Sequence, residues 1–237
     1  MITDRHSRQR ELWNEEHKTP QMVKNMDYQT PSSGVTLFWE WLQEHHDRFP
    51  NLTGIEMGCG KGRNCIWLAE QGANMTGFDF SEVAIKESDK RAREKKISSE
   101  KMQFVMQDAT VEWPWPSASF DFGIDCFAST DIESPVGRAF ARNEFMRVLK
   151  PSGFLFIYAI SHKSPFHSQL LKTSPQPERN TYAHPSGKID KVYDEKELRK
   201  FYSSFLISEF RTIKKPKGGM FYGKEHDCEN FWVIVKK

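Results

Sequence analysis

Three things that the 237-residue sequence lacks restrict its function. It has no apolar run of about 18 residues, so we expect no membrane-spanning helix and no membrane partner. Its four cysteines form no Cys-x-x-Cys pair and have no histidine at metal-ligand spacing, which argues against a metal site and a disulfide framework. Neither sign of charge dominates, because 34 Lys and Arg oppose 32 Asp and Glu, whereas a dedicated nucleic-acid-binding domain carries a concentrated basic excess.

The first 18 residues are not expected to form a secretory signal peptide. Residues 1–18 are charged throughout and contain no apolar core of the kind that marks a secretory signal peptide. Because the cysteines need not pair, the simplest expected compartment is a reducing cytoplasm. Aromatic side chains, in contrast, are abundant: 18 Phe, 7 Trp and 6 Tyr make up 13% of the residues.

Strand and helix patterns alternate through the middle of the chain. Apolar segments typical of strands lie at 53–57, 74–78, 103–106, 121–127 and 154–160. Helical patterns separate several of them, at 63–71, 81–96 and 135–149. Alternation of this kind predicts an α/β fold, in which helices cover both faces of a parallel sheet.

The remaining segments are predicted to complete one domain that spans 1–237. Residues 1–50 form a helical arm or lid, and the proline-containing stretch 161–193 forms an irregular insertion on the substrate side. Residues 194–237 begin with a capped helix and end with two strands, which should pair antiparallel because no crossover helix fits between them. We expect these strands around 207–213 and 231–235, joined by a Gly-Gly loop.

The glycine-rich turn after the first predicted strand carries the most information. It reads E-x-G-x-G-x-G from Glu56 to Gly62. A dinucleotide fingerprint would need a glycine where Arg63 stands, and the lysine and hydroxyl residue of a P-loop are absent. A carboxylate at Glu56 would repel a pyrophosphate but attract a sulfonium or amino group. The turn therefore predicts a nucleoside cofactor of cationic character.

Carboxylates follow four successive predicted strands, at Glu56, Asp79, Asp108 and Asp125. The carboxyl ends of parallel strands meet at one edge of the sheet, where open α/β sheets bind ligands. Asp79 can accept hydrogen bonds from both hydroxyls of a ribose, and Asp108 with the N–H of Ala109 can recognise an adenine edge. We therefore expect one nucleoside site at this edge.

Four segments, in this order, resemble the class I S-adenosylmethionine-dependent methyltransferase family. They read EMGCGKG, GFDFSEVAI, QDAT and VLKPSGFLF, and the resembling stretch covers nearly half of the chain. Only Ser152 departs, because the family has glycine there. The resemblance implies a Rossmann-like sheet of seven mostly parallel strands with an antiparallel C-terminal pair. It also implies that S-adenosylmethionine is the cofactor and S-adenosylhomocysteine the product.

The resemblance further implies a cofactor-binding half at 53–160. Gly58 and Gly60 would line the methionine portion of the cofactor, Asp79 the ribose and Asp108 the adenine. The full set implied to bind the cofactor is Glu56, Gly58, Cys59, Gly60, Asn64, Asp79, Phe80, Asp108, Ala109, Asp125, Cys126 and Phe127.

The implied reaction is an in-line displacement at the sulfonium methyl group, for which the protein mainly orients both reactants and excludes water. Where the acceptor atom carries a proton, a base assists. His162, two residues past the fifth predicted strand, is the first candidate base. Other candidates are Tyr158, His167, His184 and His226.

A small aromatic or lipophilic molecule is the expected acceptor, because aromatic residues are present in the segments that face substrate in this fold. The candidates are Trp13, Tyr28, Tyr158, Phe166 and Tyr222, with Phe127, Tyr182 and Phe221 in the same segments. Lys214, Lys215 and Lys217 keep an RNA or protein methyltransferase open as an alternative, and a non-catalytic cofactor-binding protein is a third. We expect a monomer or a homodimer.

Overall fold

The computed structural model describes residues 4–20 and 29–237. Tyr28 lies outside them. The helices are α1 (Asp4–Lys18), α2 (Ser33–His45), α3 (Arg63–Glu70), α4 (Glu82–Glu94), α5 (Pro135–Val148), α6 (Pro165–Thr173) and α7 (Glu195–Phe201). The strands are β1 (Thr53–Met57), β2 (Asn74–Asp79), β3 (Met102–Met106), β4 (Phe120–Cys126), β5 (Leu149–Ile160), β6 (Thr181–Ala183), β7 (Ile189–Lys191), β8 (Leu206–Phe221) and β9 (Lys224–Lys236). A short 3-10 helix, Ala128–Asp131, follows β4.

One seven-stranded sheet organises the chain, in the order β3-β2-β1-β4-β5-β9-β8. Strands β1 to β5 pair parallel, and β9 pairs antiparallel with both β5 and β8. The predicted Rossmann-like sheet is confirmed. Because the strand order reverses between β1 and β4, a crevice opens there at the carboxyl edge, as is usual for ligand sites in such sheets.

Both faces of the sheet are covered by apolar packing. On one face, α2 and α3 pack their aromatic and aliphatic side chains against the strands, with Phe38 stacked on Phe156 at 4.9 Å. On the other, α5 and α7 bury residues such as Phe145 and Leu198. The nearly continuous apolar sequence of β5 reflects this two-sided burial, since eight successive residues from Gly153 to Ile160 are buried.

Two predicted features of the last third are wrong. The stretch 161–193 is not irregular, because it forms α6 and the antiparallel hairpin β6-β7. The Gly-Gly pair at 218–219 is not the connecting loop but lies inside β8, next to an irregularity in its pairing with β9. The reversal instead occurs at Tyr222 and Gly223, and both strands are several residues longer than predicted.

Among residues 4–20 and 29–237, no helix is long and apolar enough to cross a membrane.

Candidate functional site

The glycine-rich turn lies at the carboxyl end of β1 and requires glycine for steric reasons. Gly58 has a φ of +61°, and a Cβ atom there would lie 2.5 Å from the Cβ of Ala128. Gly60 and Gly62 also adopt positive φ angles, of +52° and +79°. The chain can therefore turn tightly from β1 into α3 and leave its backbone close to the crevice.

Asp79 connects this turn to the next one. Its Oδ2 accepts a hydrogen bond from the backbone N–H of Gly60 at 3.0 Å, and its Oδ1 accepts one from that of Ser81 at 2.8 Å. The Ser81 hydroxyl in turn accepts the N–H of Ala84 and caps α4. The carboxylate is thus fixed at the end of β2, with its outer face toward the crevice.

A cavity of about 180 Å³ occupies the crevice, which we name the cofactor cavity. Seven of the residues implied to bind the cofactor line it: Gly58, Gly60, Asp79, Phe80, Asp108, Ala109 and Cys126. Trp13, which the sequence assigns to the acceptor, lines it as well. The carboxylates that follow β2 and β3 therefore meet at one site, as the strand order requires.

The other residues implied to bind the cofactor lie just behind the cavity. Glu56 is buried, and its carboxylate accepts the Asn64 amide at 2.7 Å and the Cys65 thiol at 2.9 Å. Asn64 also accepts the backbone N–H of Ser32, at 2.8 Å. Burial raises the pKa of Glu56 to about 7, against these hydrogen bonds. The group joins β1, α3 and the start of α2.

Asp125 likewise has partners within the protein. Its Oδ1 accepts the backbone N–H of Ser129 at 2.9 Å, and its Oδ2 accepts the Tyr202 hydroxyl at 3.1 Å. Burial raises the pKa of Asp125. Cys59 is buried behind the glycine turn, and Phe127 faces a second cavity. The cofactor roles of all these residues behind the cavity stay predictions.

Helix α1 covers the cofactor cavity, and two of its lining residues there, His6 and His17, were not suggested by the sequence. His6, Trp13 and His17 lie on its inner face, and all three line the cavity. The imidazole of His6 lies between two carboxylates, with Nε2 2.5 Å from Asp108 and Nδ1 2.8 Å from Glu133. Because this buried face is largely polar, α1 has no apolar periodicity from which its docking could have been predicted.

The His6 contact predicts a pH-dependent attachment of α1. Burial alone would lower the pKa of His6, but hydrogen bonds and charge from Asp108 and Glu133 outweigh it and raise the pKa. A histidine whose pKa is raised in the folded state stabilises the fold. This stabilisation is complete at a pH below the pKa of the unfolded chain, near 6.5, and it is lost as the pH rises through the pKa of the folded protein. We expect His6→Gln to destabilise the protein by about 1.5 kcal/mol or more at pH 6, because hydrogen bonds to charged groups are lost.

Urea unfolding of the wild type and His6→Gln at pH 6 and pH 8.5 measures this effect. The difference in free energy of unfolding should shrink at the higher pH. His45→Gln serves as a control, since His45 is an exposed histidine on α2 that bonds only its own helix, at Trp41. An equal loss at both pH values would show that His6 contributes by packing rather than by charge.

A second cavity of about 180 Å³ adjoins the first, and we name it the acceptor cavity. Trp13 and Asp131 line both cavities. The other walls come from the end of β4, from α6 and β7, and from the β8-β9 pair. They include Arg63, Phe127, Ile160, His167, Asp190, Phe221, Cys228 and Asn230. The indole N–H of Trp13 is buried and has no hydrogen-bond partner among the described residues.

The remaining aromatic candidates surround the acceptor cavity rather than line it. Phe166 stacks on Phe221 at 4.4 Å with nearly parallel rings. Tyr158 is buried and packs on Phe127 at 4.7 Å, and the Tyr222 hydroxyl lies 3.2 Å from His184. These residues support the wall, and their contact with an acceptor stays a prediction.

His162, the first candidate base, lies apart from both cavities. Its Nδ1 is 3.1 Å from the carbonyl oxygen of Tyr193, and its ring lines a surface depression with Lys163, Lys172 and Asn180. This depression shares no lining residue with either cavity. The structure therefore does not bring His162 together with the residues implied to bind the cofactor.

Each of the three lysines of β8 contacts another side chain of the protein. Lys214 is 3.5 Å from Glu229, and Lys217 is 3.4 Å from Glu225, both on the neighbouring strand β9. Lys215 hydrogen-bonds the Ser33 hydroxyl. Carboxylates thus offset two of the three charges that kept RNA open as an acceptor.

Comparisons with known proteins agree with this geometry. A family model described as "Methyltransferase domain" matches residues 55–157, which include β1 to most of β5. The chain is 24% identical over 197 residues to the tRNA (carboxymethyluridine(34)-5-O)-methyltransferase of Schizosaccharomyces pombe, covering 78% of this chain and 80% of that protein.

Two solved structures share the fold. A SAM-dependent methyltransferase from Methanosarcina mazei superposes with a TM-score of 0.71 at 23% identity, over 82% of this chain and 96% of that one. The 1,6-didemethyltoxoflavin-N1-methyltransferase of Burkholderia thailandensis, solved with 1,6-didemethyltoxoflavin and S-adenosylhomocysteine bound, superposes with a TM-score of 0.71 at 18% identity, over 100% and 92% of the two chains.

Proposed function

Since the chain is a class I S-adenosylmethionine-dependent methyltransferase, we propose that it methylates a small, one-ring aromatic acceptor held in the acceptor cavity. The observation that carries this proposal is the second cavity next to the cofactor cavity, with Trp13 and Asp131 in the shared wall. A sulfonium methyl group held at this wall would be next to an acceptor in the second cavity.

The size of the acceptor cavity limits what can enter it. Its volume of about 180 Å³ is close to that of engineered protein cavities of roughly 150 Å³ that bind benzene. Phe127, Ile160 and Phe221 provide apolar walls, and the Trp13 N–H provides an unused donor. One aromatic ring with a hydrogen-bonding substituent matches this combination of volume and lining.

The cofactor residues take the roles that their positions suggest. Asp79 would accept the ribose hydroxyls, and Asp108 with the N–H of Ala109 would contact the adenine. Gly58 and Gly60 would let the methionine portion approach the backbone. When bound, the cofactor supplies the methyl group on a good leaving group. The protein's contribution is to align the acceptor and to exclude water with α1.

An RNA acceptor is the alternative, because the relative from Schizosaccharomyces pombe acts on tRNA according to its name. RNA binding requires cations that contact phosphates. The acceptor cavity instead contains the carboxyls of Asp131 and Asp190 and a single guanidinium, Arg63. Together with the paired lysines of β8, this lining favours an uncharged small molecule.

Transfer of tritium from methyl-labelled S-adenosylmethionine tests the proposal. Purified protein is incubated with a cell's small-metabolite fraction, its total RNA or its protein, and with the one-ring probes phenol and 4-nitrophenol. We expect label in small molecules and in at least one probe. Label confined to RNA or protein would contradict the proposed acceptor class.

The matched variants are Trp13→Ala and Glu11→Ala, both on α1. Trp13→Ala removes the shared wall and should lower transfer at least about tenfold, because reactant alignment supplies much of the rate. Glu11 is exposed, so Glu11→Ala should transfer at the wild-type rate. If the two variants behave alike, the acceptor does not lie against Trp13.

A further inference from the structure

The buried end of the acceptor cavity holds a chain of titratable side chains. His167 on α6 lies with Nδ1 2.5 Å from the hydroxyl of Tyr182 on β6. That hydroxyl is 3.0 Å from Oδ2 of Asp190 on β7, which also lies 2.7 Å from Nε2 of His184. All four side chains are buried, with exposures of 4% or less.

The geometry determines where the protons are. Burial alone would raise the pKa of Asp190, but the contacts with His184 and with the Tyr182 hydroxyl outweigh it and lower the pKa, so Asp190 is ionised. A carboxylate only accepts hydrogen bonds, so the single proton of the Tyr182 hydroxyl is donated to Asp190. The Tyr182 oxygen must then accept the bond from His167, which requires the proton of His167 to be on Nδ1.

The other nitrogen of His167 is left as an acceptor. His167 lines the acceptor cavity, and its Nε2 has no hydrogen-bond partner in the described part of the chain. Burial lowers the pKa of His167 to about 4, despite the attraction of Asp190, and His184 and His226 lower it further. The imidazole is therefore neutral at neutral pH, with a lone pair available at Nε2.

We propose that His167 is the catalytic base that takes the acceptor's proton, and that Tyr182 and Asp190 are positioning residues that hold its tautomer. This inference rests on the proposed function. The acceptor oxygen or nitrogen bonds to the methyl carbon as the carbon–sulfur bond breaks, and that electron pair goes to sulfur. The acceptor's proton passes to Nε2 of His167, whose Nδ1–H stays bonded to the Tyr182 hydroxyl.

Asp131 is the remaining titratable side chain beside Asp190 in this buried group. Burial, followed by the charge of Asp190, raises the pKa of Asp131 well above its usual range. A protonated carboxyl at Asp131 does not compete for the acceptor's proton. His184 contacts the same oxygen of Asp190 as Tyr182 does, and Tyr222 contacts His184 from the β8-β9 turn. Of the two histidines in this group, His167 lines the cavity and His184 does not.

The tautomer is measured on the protein alone, by NMR of histidines labelled with ¹⁵N. His167→Asn identifies the resonances, and its amide N–H can replace the Nδ1–H bond to Tyr182, which favours folding. We expect His167 to be neutral and protonated at Nδ1 at pH 7, and Tyr182→Phe to increase the Nε2-protonated form. A proton at Nε2 in the wild type would overturn the proposal, because that nitrogen could not accept another.

Transfer to two phenols tests the base itself. Phenol is largely protonated at neutral pH and needs a base, whereas 4-nitrophenol ionises near neutrality and does not. We expect His167→Asn to slow transfer to phenol about 100-fold, the usual contribution of a base, and to change transfer to 4-nitrophenol by less than about threefold. The control Gln169→Ala is exposed on the same helix and should affect neither.

The outcomes separate the two proposals. Equal losses on both phenols would mean that His167 only shapes the cavity, which contradicts its role as base. A phenol-selective loss in His162→Asn but not in His167→Asn would assign the base to His162. Failure of the wild type to methylate either phenol would contradict the proposed acceptor class, and the NMR measurement would still decide the tautomer of His167.

Discussion

Asp79→Asn should weaken binding of S-adenosylhomocysteine about 100-fold, measured by isothermal titration calorimetry. The carboxylate holds the N–H groups of Gly60 and Ser81, and it is the proposed acceptor for both ribose hydroxyls. Hydrogen bonds to a charged group contribute roughly 1.5–3 kcal/mol each, and each 1.4 kcal/mol is tenfold in affinity. The amide side chain of the variant would keep one acceptor oxygen but lose the charge and the second acceptor.

Glu82→Gln provides the control for this measurement. Glu82 is an exposed carboxylate three residues away, and its partner is Lys86 at 2.6 Å. Its neutralisation should change the affinity by less than about twofold, because exposed ion pairs contribute little. A change of less than about threefold for Asp79→Asn would contradict the proposed ribose contact, provided that circular dichroism shows a folded protein.

Glu56→Gln should stabilise the protein at alkaline pH, although it removes a buried carboxylate on β1, next to the glycine turn. Burial raises the pKa of Glu56 from 4.5 to about 7. A carboxyl with a raised pKa favours the fold below pH 4.5, and this advantage is lost as pH rises to about 7. At about 1.4 kcal/mol for each pH unit, the wild type loses about 3 kcal/mol. The side-chain amide of the Glu56→Gln variant does not ionise, so the variant does not lose this stability.

Urea unfolding at pH 5 and pH 8 measures the effect. The gain of Glu56→Gln over the wild type should be largest at pH 8. Glu144→Gln is the matched control of opposite sign, because a hydrogen bond from Arg147 lowers the pKa of Glu144, so its ionised form stabilises the fold. That variant should lose stability at pH 8. A loss in both variants would show that Glu56 is needed as an ion.

The sequence predicts the sheet well because its signals there are local and periodic. Helices separate most of the five parallel strands, and the carboxyl ends of these strands bring Asp79 and Asp108 to one cavity, as expected from strand order alone. β5 begins at Leu149, five residues earlier than predicted. Leu149 precedes the apolar run and belongs to the strand because it pairs with Phe120 of β4. Pairing of this kind depends on the neighbouring strand and has no local signal.

The helices and strands around the acceptor cavity could not be predicted in the same way. Pro165 suggests irregular chain, yet it occupies the first turn of α6, where a proline costs no hydrogen bond. Strands β6 and β7 have three residues each, too few to show a period of two. His167 and Asp190 therefore come together only through tertiary structure, which is why sequence position favoured His162.

The shared wall at Trp13 has a kinetic consequence. Because α1 closes the cofactor cavity through His6 and His17 and the acceptor cavity through Trp13, its withdrawal opens both at once. The spent cofactor and the methylated acceptor could therefore both leave when α1 withdraws. Where this motion limits turnover, changes that tighten α1 should lower the Michaelis constants and the turnover number together.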